Sequence, residues 1–75
     1  MNMSLEDNII YLQVSMSGFL INRWGITPEK FVEFDGKYKI LWYIRLCYET
    51  FHLTGDEGIA EEIEQFIKEQ GGVVC

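Results

Sequence analysis

The chain has a single histidine, His52, which lies close in sequence to Cys47 and Glu49. A cysteine, a histidine and a carboxylate are the groups of a thiol nucleophile with its base and its orienting acid. Residues five positions apart on a helix, however, are about 140° apart round the axis, so Cys47 and His52 would not face each other. We therefore interpret His52 as a structural residue, placed at the negative end of a helix or bonded to the next corner.

Paired carboxylates such as Glu57 and Glu61 share one face of a helix, where they could hold a cation weakly or exchange protons. A metal site needs at least three converging ligands, and no spacing of histidine and cysteine offers them. Nor do the glycines, which are scattered apart from one pair, form a phosphate-binding loop. So short a chain implies no concave scaffold, and we expect solvated acids, no metal or other cofactor, no small-molecule substrate and no enzymatic activity.

The large aromatic residues are more informative about function. Tyrosine and tryptophan combine an apolar ring with a polar atom and are frequent anchors of protein interfaces. Most of them are also needed to complete a small core. The candidate interaction residues are Trp42, Leu46, Tyr38 and Trp24, with Trp42 and Leu46 as the leading pair.

The stretch from Tyr38 to Leu53, YKILWYIRLCYETFHL, must position these groups. At about 3.6 residues per turn it is apolar on two sides. One stripe contains Ile40, Ile44, Cys47 and Phe51, flanked by Tyr43 and Tyr48, and the roughly opposite face contains Trp42, Leu46 and Leu53. Both apolar sides of such a helix need to be covered. Neighbouring helices can cover one side, and further helices, a second copy or another protein must cover the other.

A first helix is predicted from the N-cap Ser4, with Asp7 as capping-box partner, to a stop at Gly25. Gly18 inside it costs about 1 kcal/mol relative to alanine, which is consistent with a close approach of another backbone. The apolar positions of this helix are Leu5, Ile9, Leu12, Met16, Phe19 and Leu20, widened by Ile10, Val14 and Ile21.

Two more helices flank the central one. Thr27-Pro28-Glu29 begins a short helix, which we expect to end near Asp35-Gly36. A capping box of Thr54 with Glu57 begins the last helix, which ends at Gly71-Gly72. An apolar tail, Val73–Cys75, follows and either packs against the core or frays. The apolar stripe of the last helix is Ile59, Ile63, Phe66 and Ile67.

These elements predict an all-α fold, a small irregular bundle of three to four helices forming a single domain over residues 1–75. Short connections favour antiparallel packing of the last two helices. A chain of 75 residues buries only about 60% of the surface that its unfolded form exposes. Self-association or a protein partner is therefore a natural supplement to its stability.

The net charge of −6 is uneven: from Asp56 onward there are six acidic residues and one lysine. Such a surface repels phosphate backbones, which disfavours nucleic-acid binding. The sequence opens with no signal peptide and contains no membrane-spanning apolar run. Two cysteines, Cys47 and Cys75, do not make a disulfide framework, so we expect a cytoplasmic protein with no membrane partner.

The second half, ILWYIRLCYETFHLTGDE, resembles a family of short bacterial proteins classified as a domain of unknown function. Beyond that run, Glu62 and the apolar stripe of the last helix also match, and the first helix matches in pattern only. Trp42 departs from the small polar or acidic residue that the family has at this place. The residues that carry the resemblance are Leu41, Tyr43, Ile44, Tyr48 and the corner His52-x-Thr54-Gly55.

The resemblance implies no catalytic residues. It does imply a genomic neighbour that looks like an ADP-ribosyltransferase, which would suit a small partner that binds, localises or neutralises a toxin-like enzyme. The leading function is thus a protein-binding module that self-associates or pairs with such an enzyme. The alternative is a small DNA-associated regulator of toxin-antitoxin type, in which the short and central helices act as a helix-turn-helix with the basic residues Lys30, Lys37, Lys39 and Arg45.

Overall fold

The computed structural model describes residues 4–72, and in this range all regular structure is helical. The prediction of an all-α fold is confirmed. The predicted number of helices is wrong, because the described range contains five rather than three to four. The tail Val73–Cys75 lies outside the described residues. The helices are α1 (Leu5–Trp24), α2 (Pro28–Tyr38), α3 (Ile40–Leu46), α4 (Tyr48–Phe51) and α5 (Asp56–Glu69).

Helix α1 begins and ends as predicted. The Ser4 hydroxyl accepts the backbone N–H of Asp7 at 3.1 Å, and the Asp7 carboxylate accepts the backbone N–H of Ser4 at 3.4 Å. Gly25 ends the helix in the left-handed region, with φ of 64°. The N–H of Ile26 then donates to the carbonyl of Ile21 at 3.1 Å, which satisfies one of the free carbonyls of the last turn.

The predicted close approach at Gly18 is wrong. A Cβ atom on Gly18 would meet no atom within 4 Å beyond the helix's own backbone, and the residue is exposed. The glycine therefore leaves α1 with the conformational cost of a flexible residue and without a packing contact in return.

Replacing Gly18 with alanine is expected to raise the free energy of unfolding by about 1 kcal/mol, because alanine has the higher helix propensity. Urea denaturation followed by circular dichroism measures the change. Gly25→Ala is the matched control: its φ of 64° is unfavourable for a residue with a Cβ, so this variant should lose about 1 kcal/mol or more. A loss of stability in Gly18→Ala would contradict the open surroundings of this position.

Helix α2 starts as predicted and runs further than predicted. The Thr27 hydroxyl accepts the backbone N–H of Lys30 at 3.1 Å. The predicted end near Asp35-Gly36 is wrong, since the helix continues to Tyr38. Lys39 then takes a φ of 60° and separates α2 from α3, and the Asp35 carboxylate accepts the backbone N–H of Leu41 at 2.8 Å. Asp35 thus accepts one of the backbone N–H groups at the start of α3 that have no partner within that helix.

The predicted central helix is divided into α3 and α4 at Cys47, which adopts φ −97° and ψ 15°. These angles lie in the sparsely allowed bridge region, which is open to ordinary residues. The N–H of Cys47 donates to the carbonyl of Tyr43 at 2.9 Å and its carbonyl accepts the N–H of Phe51 at 2.8 Å, so Cys47 is hydrogen-bonded to both helices. Phe51 is buried, and its ring meets that of Tyr43 edge-on at 5.7 Å.

The predicted capping box of α5 is wrong at its first residue. Gly55 is the N-cap, and the Thr54 hydroxyl donates to the carbonyl of Thr50 at 2.9 Å instead of capping α5. The predicted stop at Gly71-Gly72 is confirmed: Gly71 has a φ of 82°, and the N–H of Gly72 donates to the carbonyl of Ile67 at 3.0 Å.

All five helices contribute to one core. The predicted apolar stripe of the central helix faces inward: Ile40, Ile44 and Phe51 are buried, and Cys47 is half-buried. The predicted stripe of α5 also faces inward, with three buried isoleucines and a half-buried Phe66. The core residues are Met16, Leu20, Trp24, Phe31, Tyr38, Ile40, Ile44, Phe51, Ile59, Ala60, Ile63 and Ile67.

Candidate protein-interaction surface

Two large apolar side chains project from α3 on the side away from the core. Trp42 is 54% exposed and Leu46, one turn later, is 62% exposed. Ile40 and Ile44 of the same helix are fully buried. The helical period places them on the side of α3 opposite Trp42 and Leu46. The second apolar face of the predicted central helix, with Trp42 and Leu46, is therefore exposed in the structure.

Helix α1 presents a second exposed apolar pair. Ile10 and Val14, which widen the predicted apolar face of α1, are one turn apart, and both are exposed. The buried residues of α1 are Ile9, Met16, Leu20 and Trp24. Ile10 and Val14 thus add apolar area to the surface of the molecule and not to its core.

Polar contacts hold α1 and α3 side by side. The Gln13 amide donates to the carbonyl of Leu41 at 2.8 Å. The guanidinium of Arg45 donates to both carboxylate oxygens of Glu6, at 2.7 and 2.6 Å. These hydrogen bonds, with the positive charge of Arg45, lower the pKa of the Glu6 carboxyl below its ordinary value.

Both exposed pairs are on the two helices that this contact joins. Ile10 and Val14 are on the exposed side of α1, and Trp42 and Leu46 are on the side of α3 opposite the buried Ile40 and Ile44. We call this surface the α1–α3 face, defined by Ile10, Val14, Trp42 and Leu46. Exposed aromatic and aliphatic side chains of this kind are typical of protein-interaction surfaces.

The structure places the other two candidate interaction residues in the core. Trp24 and Tyr38 are 7% and 6% exposed, and they are not part of the α1–α3 face. The Trp24 ring packs against Phe31 and Phe34, and the Phe34 ring also neighbours Tyr38. The signal for this placement was available: Trp24 is one turn after Leu20 in the buried stripe of α1.

Glu64 has a role that the sequence analysis missed. Its carboxylate accepts hydrogen bonds from Arg23 Nε and from Trp24 Nε1, both at 2.8 Å, and so joins α5 to the end of α1. The hydrogen bond from Arg23, followed by that from Trp24, lowers the pKa of Glu64. A signal existed for this as well, because Glu64 is one turn after the fully buried Ala60.

A cleft of about 380 Å³ lies between α3, α4 and the first half of α5. Burial, and then the neighbouring Cys47, raises the pKa of the Tyr43 phenol. The Tyr43 ring itself is fixed by stacking on Phe66, with ring centroids 3.9 Å apart. The residues lining the cleft are Tyr43, Cys47, Thr50, Phe51, Thr54, Gly58, Glu61 and Glu62.

His52 is engaged locally. Its Nδ1 lies 2.9 Å from the carbonyl oxygen of Tyr48, and its ring stacks on the Tyr48 ring at 5.0 Å. Cys47 lines the cleft, whereas His52 does not. Within residues 4–72, no three histidine, cysteine or carboxylate side chains are grouped so that they could hold a metal ion.

These features define a small all-helical bundle with exposed apolar side chains on α1 and α3. The chain belongs to a family described as protein of unknown function (DUF3791), whose model matches residues 18–70. The expected resemblance to a family of unknown function is confirmed at that level. The match includes all of α2 to α5, and hence Trp42, Leu46 and the cleft.

Two further comparisons found nothing similar: no curated protein and no solved structure matches the chain. None of the helices in the described range is both long and apolar enough to cross a membrane.

Proposed function

We propose that the protein is a cytoplasmic protein-binding module and not an enzyme, and that it associates with its partner through the α1–α3 face. The partner is a second copy or another protein, such as a neighbouring toxin-like enzyme of the kind that the family resemblance implies. The observation that carries the proposal is the exposure of Trp42 and Leu46 on a helix whose opposite side is fully buried.

The size of the molecule supports this proposal. A chain of 75 residues has a small core and correspondingly little stability to spare. Exposed tryptophan and leucine side chains do not add to that stability, but covering them removes apolar surface from water. Tryptophan is also among the residues that most often dominate the binding energy of an interface.

Replacing Trp42 with alanine is expected to weaken association by about 2 kcal/mol, or roughly thirtyfold in dissociation constant, because a central aromatic anchor is lost. Sedimentation equilibrium over a concentration series measures self-association of the wild type and the variant. If the wild type is monomeric, the same comparison is made by calorimetry with a toxin-like enzyme of the kind that the family resemblance implies.

Val32→Ala is the matched control for this experiment, since Val32 is 68% exposed on α2 and lies outside the α1–α3 face. It should leave association unchanged. If Trp42→Ala and Val32→Ala associate as tightly as the wild type, the α1–α3 face is not the binding surface and the proposal is wrong.

The DNA-associated alternative depends on the basic residues of α2 and α3. Arg45 is already paired with Glu6, and Lys30 lies 3.9 Å from the Glu33 carboxylate. Both pairings reduce the positive charge available to a phosphate backbone. Binding to duplex DNA at increasing salt distinguishes the two functions, because phosphate binding weakens steeply with salt and apolar association does not.

A further inference from the structure

We infer that the cleft between α3, α4 and α5 receives an arginine or lysine side chain of the partner protein, next to apolar residues that cover Trp42 and Leu46. This inference rests on the proposed function and adds the chemistry of the partner: a segment with an apolar face bordered by basic residues.

The cleft continues the α1–α3 face round the surface of α3. Tyr43 and Cys47 line the cleft, and each directly follows a residue of the exposed pair, Trp42 or Leu46. Successive residues of a helix are about 100° apart round its axis, so the cleft and the exposed pair occupy adjoining sides of α3. A single bound segment can therefore contact both.

The lining of the cleft suits a long cationic side chain. Phe51 and the Tyr43 ring are apolar and can pack against methylene groups. Oxygen acceptors are available at the Thr50 hydroxyl and at the carboxylates of Glu61 and Glu62. A volume of about 380 Å³ is at the small end of the range for ligand sites, so it fits a side chain better than a large cofactor.

Glu61 and Glu62 differ from the other acids that border the core. Glu64 is paired with Arg23, whereas within the described residues neither Glu61 nor Glu62 forms an ion pair. Both are exposed at the border of the cleft. Glu61 acts on Arg23 through its charge without pairing with it, so the oxygens of both carboxylates can accept from a cation outside, and bidentate hydrogen bonds to arginine would make the contact specific.

The same charges favour another protein over a second copy as the occupant. The net charge is −6, and α5 carries most of the excess acid, so a symmetric dimer over this face would bring two acidic clefts into one interface. Arg45, the basic residue nearest the exposed pair on α3, is already bonded to Glu6. A partner that supplies free basic side chains removes the like-charge repulsion.

The test uses two synthetic helical peptides with leucines on one face. The first has arginines along both edges of that face, and the second has citrulline, which is nearly isosteric and uncharged, in their place. Dissociation constants are measured by NMR titration, following the backbone amides of Thr54 and Gly58 and the indole N–H of Trp42. The arginine peptide is expected to bind at least about tenfold more tightly, because its donors carry a positive charge, whereas citrulline offers the same carboxylates only neutral donors.

The double variant Glu61→Gln/Glu62→Gln should abolish this preference for arginine. Its control, Glu29→Gln/Glu33→Gln on α2, changes the net charge equally and should retain the preference. Equal affinity for the two peptides would overturn the inference. So would an equal loss of preference in both double variants, since that would show an effect of net charge alone.

Trp42→Ala separates this inference from the proposed function. Suppose that Trp42→Ala lowers the affinity for both peptides while neither double variant alters the preference for arginine. The α1–α3 face is then a binding surface, but the cleft is not the site that binds the basic side chain. If Trp42→Ala leaves the affinity for both peptides unchanged, the proposed function fails, and the inference fails with it.

Discussion

Truncating Ile44 to alanine is expected to lower the free energy of unfolding by about 2–5 kcal/mol, which is most of the stability of a domain this small. Ile44 is fully buried in the core shared by all five helices. Removing its side chain forfeits the burial of the lost methyl and methylene groups and leaves a cavity that the surrounding helices can fill only in part. Thermal and urea denaturation, followed by circular dichroism, measure the loss.

Leu46→Ala is the control from the same helix. Leu46 is 62% exposed, so its truncation should change the stability of the monomer by no more than about 0.5 kcal/mol. Both variants must be measured at concentrations where the protein is monomeric. An equally large loss in Leu46→Ala would mean that this side chain is covered in the free protein, contrary to the structure.

Replacing Glu64 with alanine is expected to cost about 1–3 kcal/mol, because the indole N–H of Trp24 loses its acceptor in a nearly buried position. Arg23 loses its partner at the same time. Glu64→Gln keeps an acceptor oxygen and loses only the charge, so its loss should be the smaller of the two. Urea denaturation at neutral pH gives both values, and an equal loss in both variants would contradict the role of the indole hydrogen bond.

The same carboxylate makes stability depend on pH. The folded protein holds the pKa of Glu64 below its ordinary value of 4.5, so folding favours the ionised form. The resulting stabilisation is fully present above pH 4.5 and is lost as the pH falls through the lowered pKa of the folded state. In Glu64→Gln this part of the acid sensitivity should disappear, leaving the contribution of Glu6; an unchanged slope below pH 4.5 would exclude Glu64 as its source.

Helix boundaries set by neighbouring residues could be predicted from the sequence. The capping box at Ser4, the start at Thr27-Pro28 and the stops at Gly25 and Gly71-Gly72 all depend on contacts within a few residues, and the structure contains each of them. The buried stripe of α3 and α4 could be predicted as well, because the helical period alone decides which side chains share a face.

Features that depend on the relative positions of several helices could not be predicted. The interruption at Cys47 has no local signal, and the long continuous apolar pattern argued against it. Thr54 could cap α5 or bond back to Thr50, and only the packed corner decides between them. Lys39 takes the left-handed conformation that a glycine would adopt more easily, at the single residue that separates α2 from α3.

The candidate site divides in the same way. The exposure of Trp42 and Leu46 follows from periodicity, since they oppose a stripe that the core must bury. The burial of Trp24 also follows from periodicity, since it is one turn after Leu20, whereas the burial of Tyr38 depends on how α2 packs against the core. The cleft needed three helices in place before its lining residues could be seen together.

The unequal surroundings of the two tryptophans give the protein two optical reporters that can be separated. Trp24 is 7% exposed and Trp42 is 54% exposed, so their emission should differ in colour and in access to a dissolved quencher. In Trp42→Phe, the remaining fluorescence follows the opening of the core where α1 meets α5. In Trp24→Phe, it follows the arrival of a partner on α3, without any attached dye.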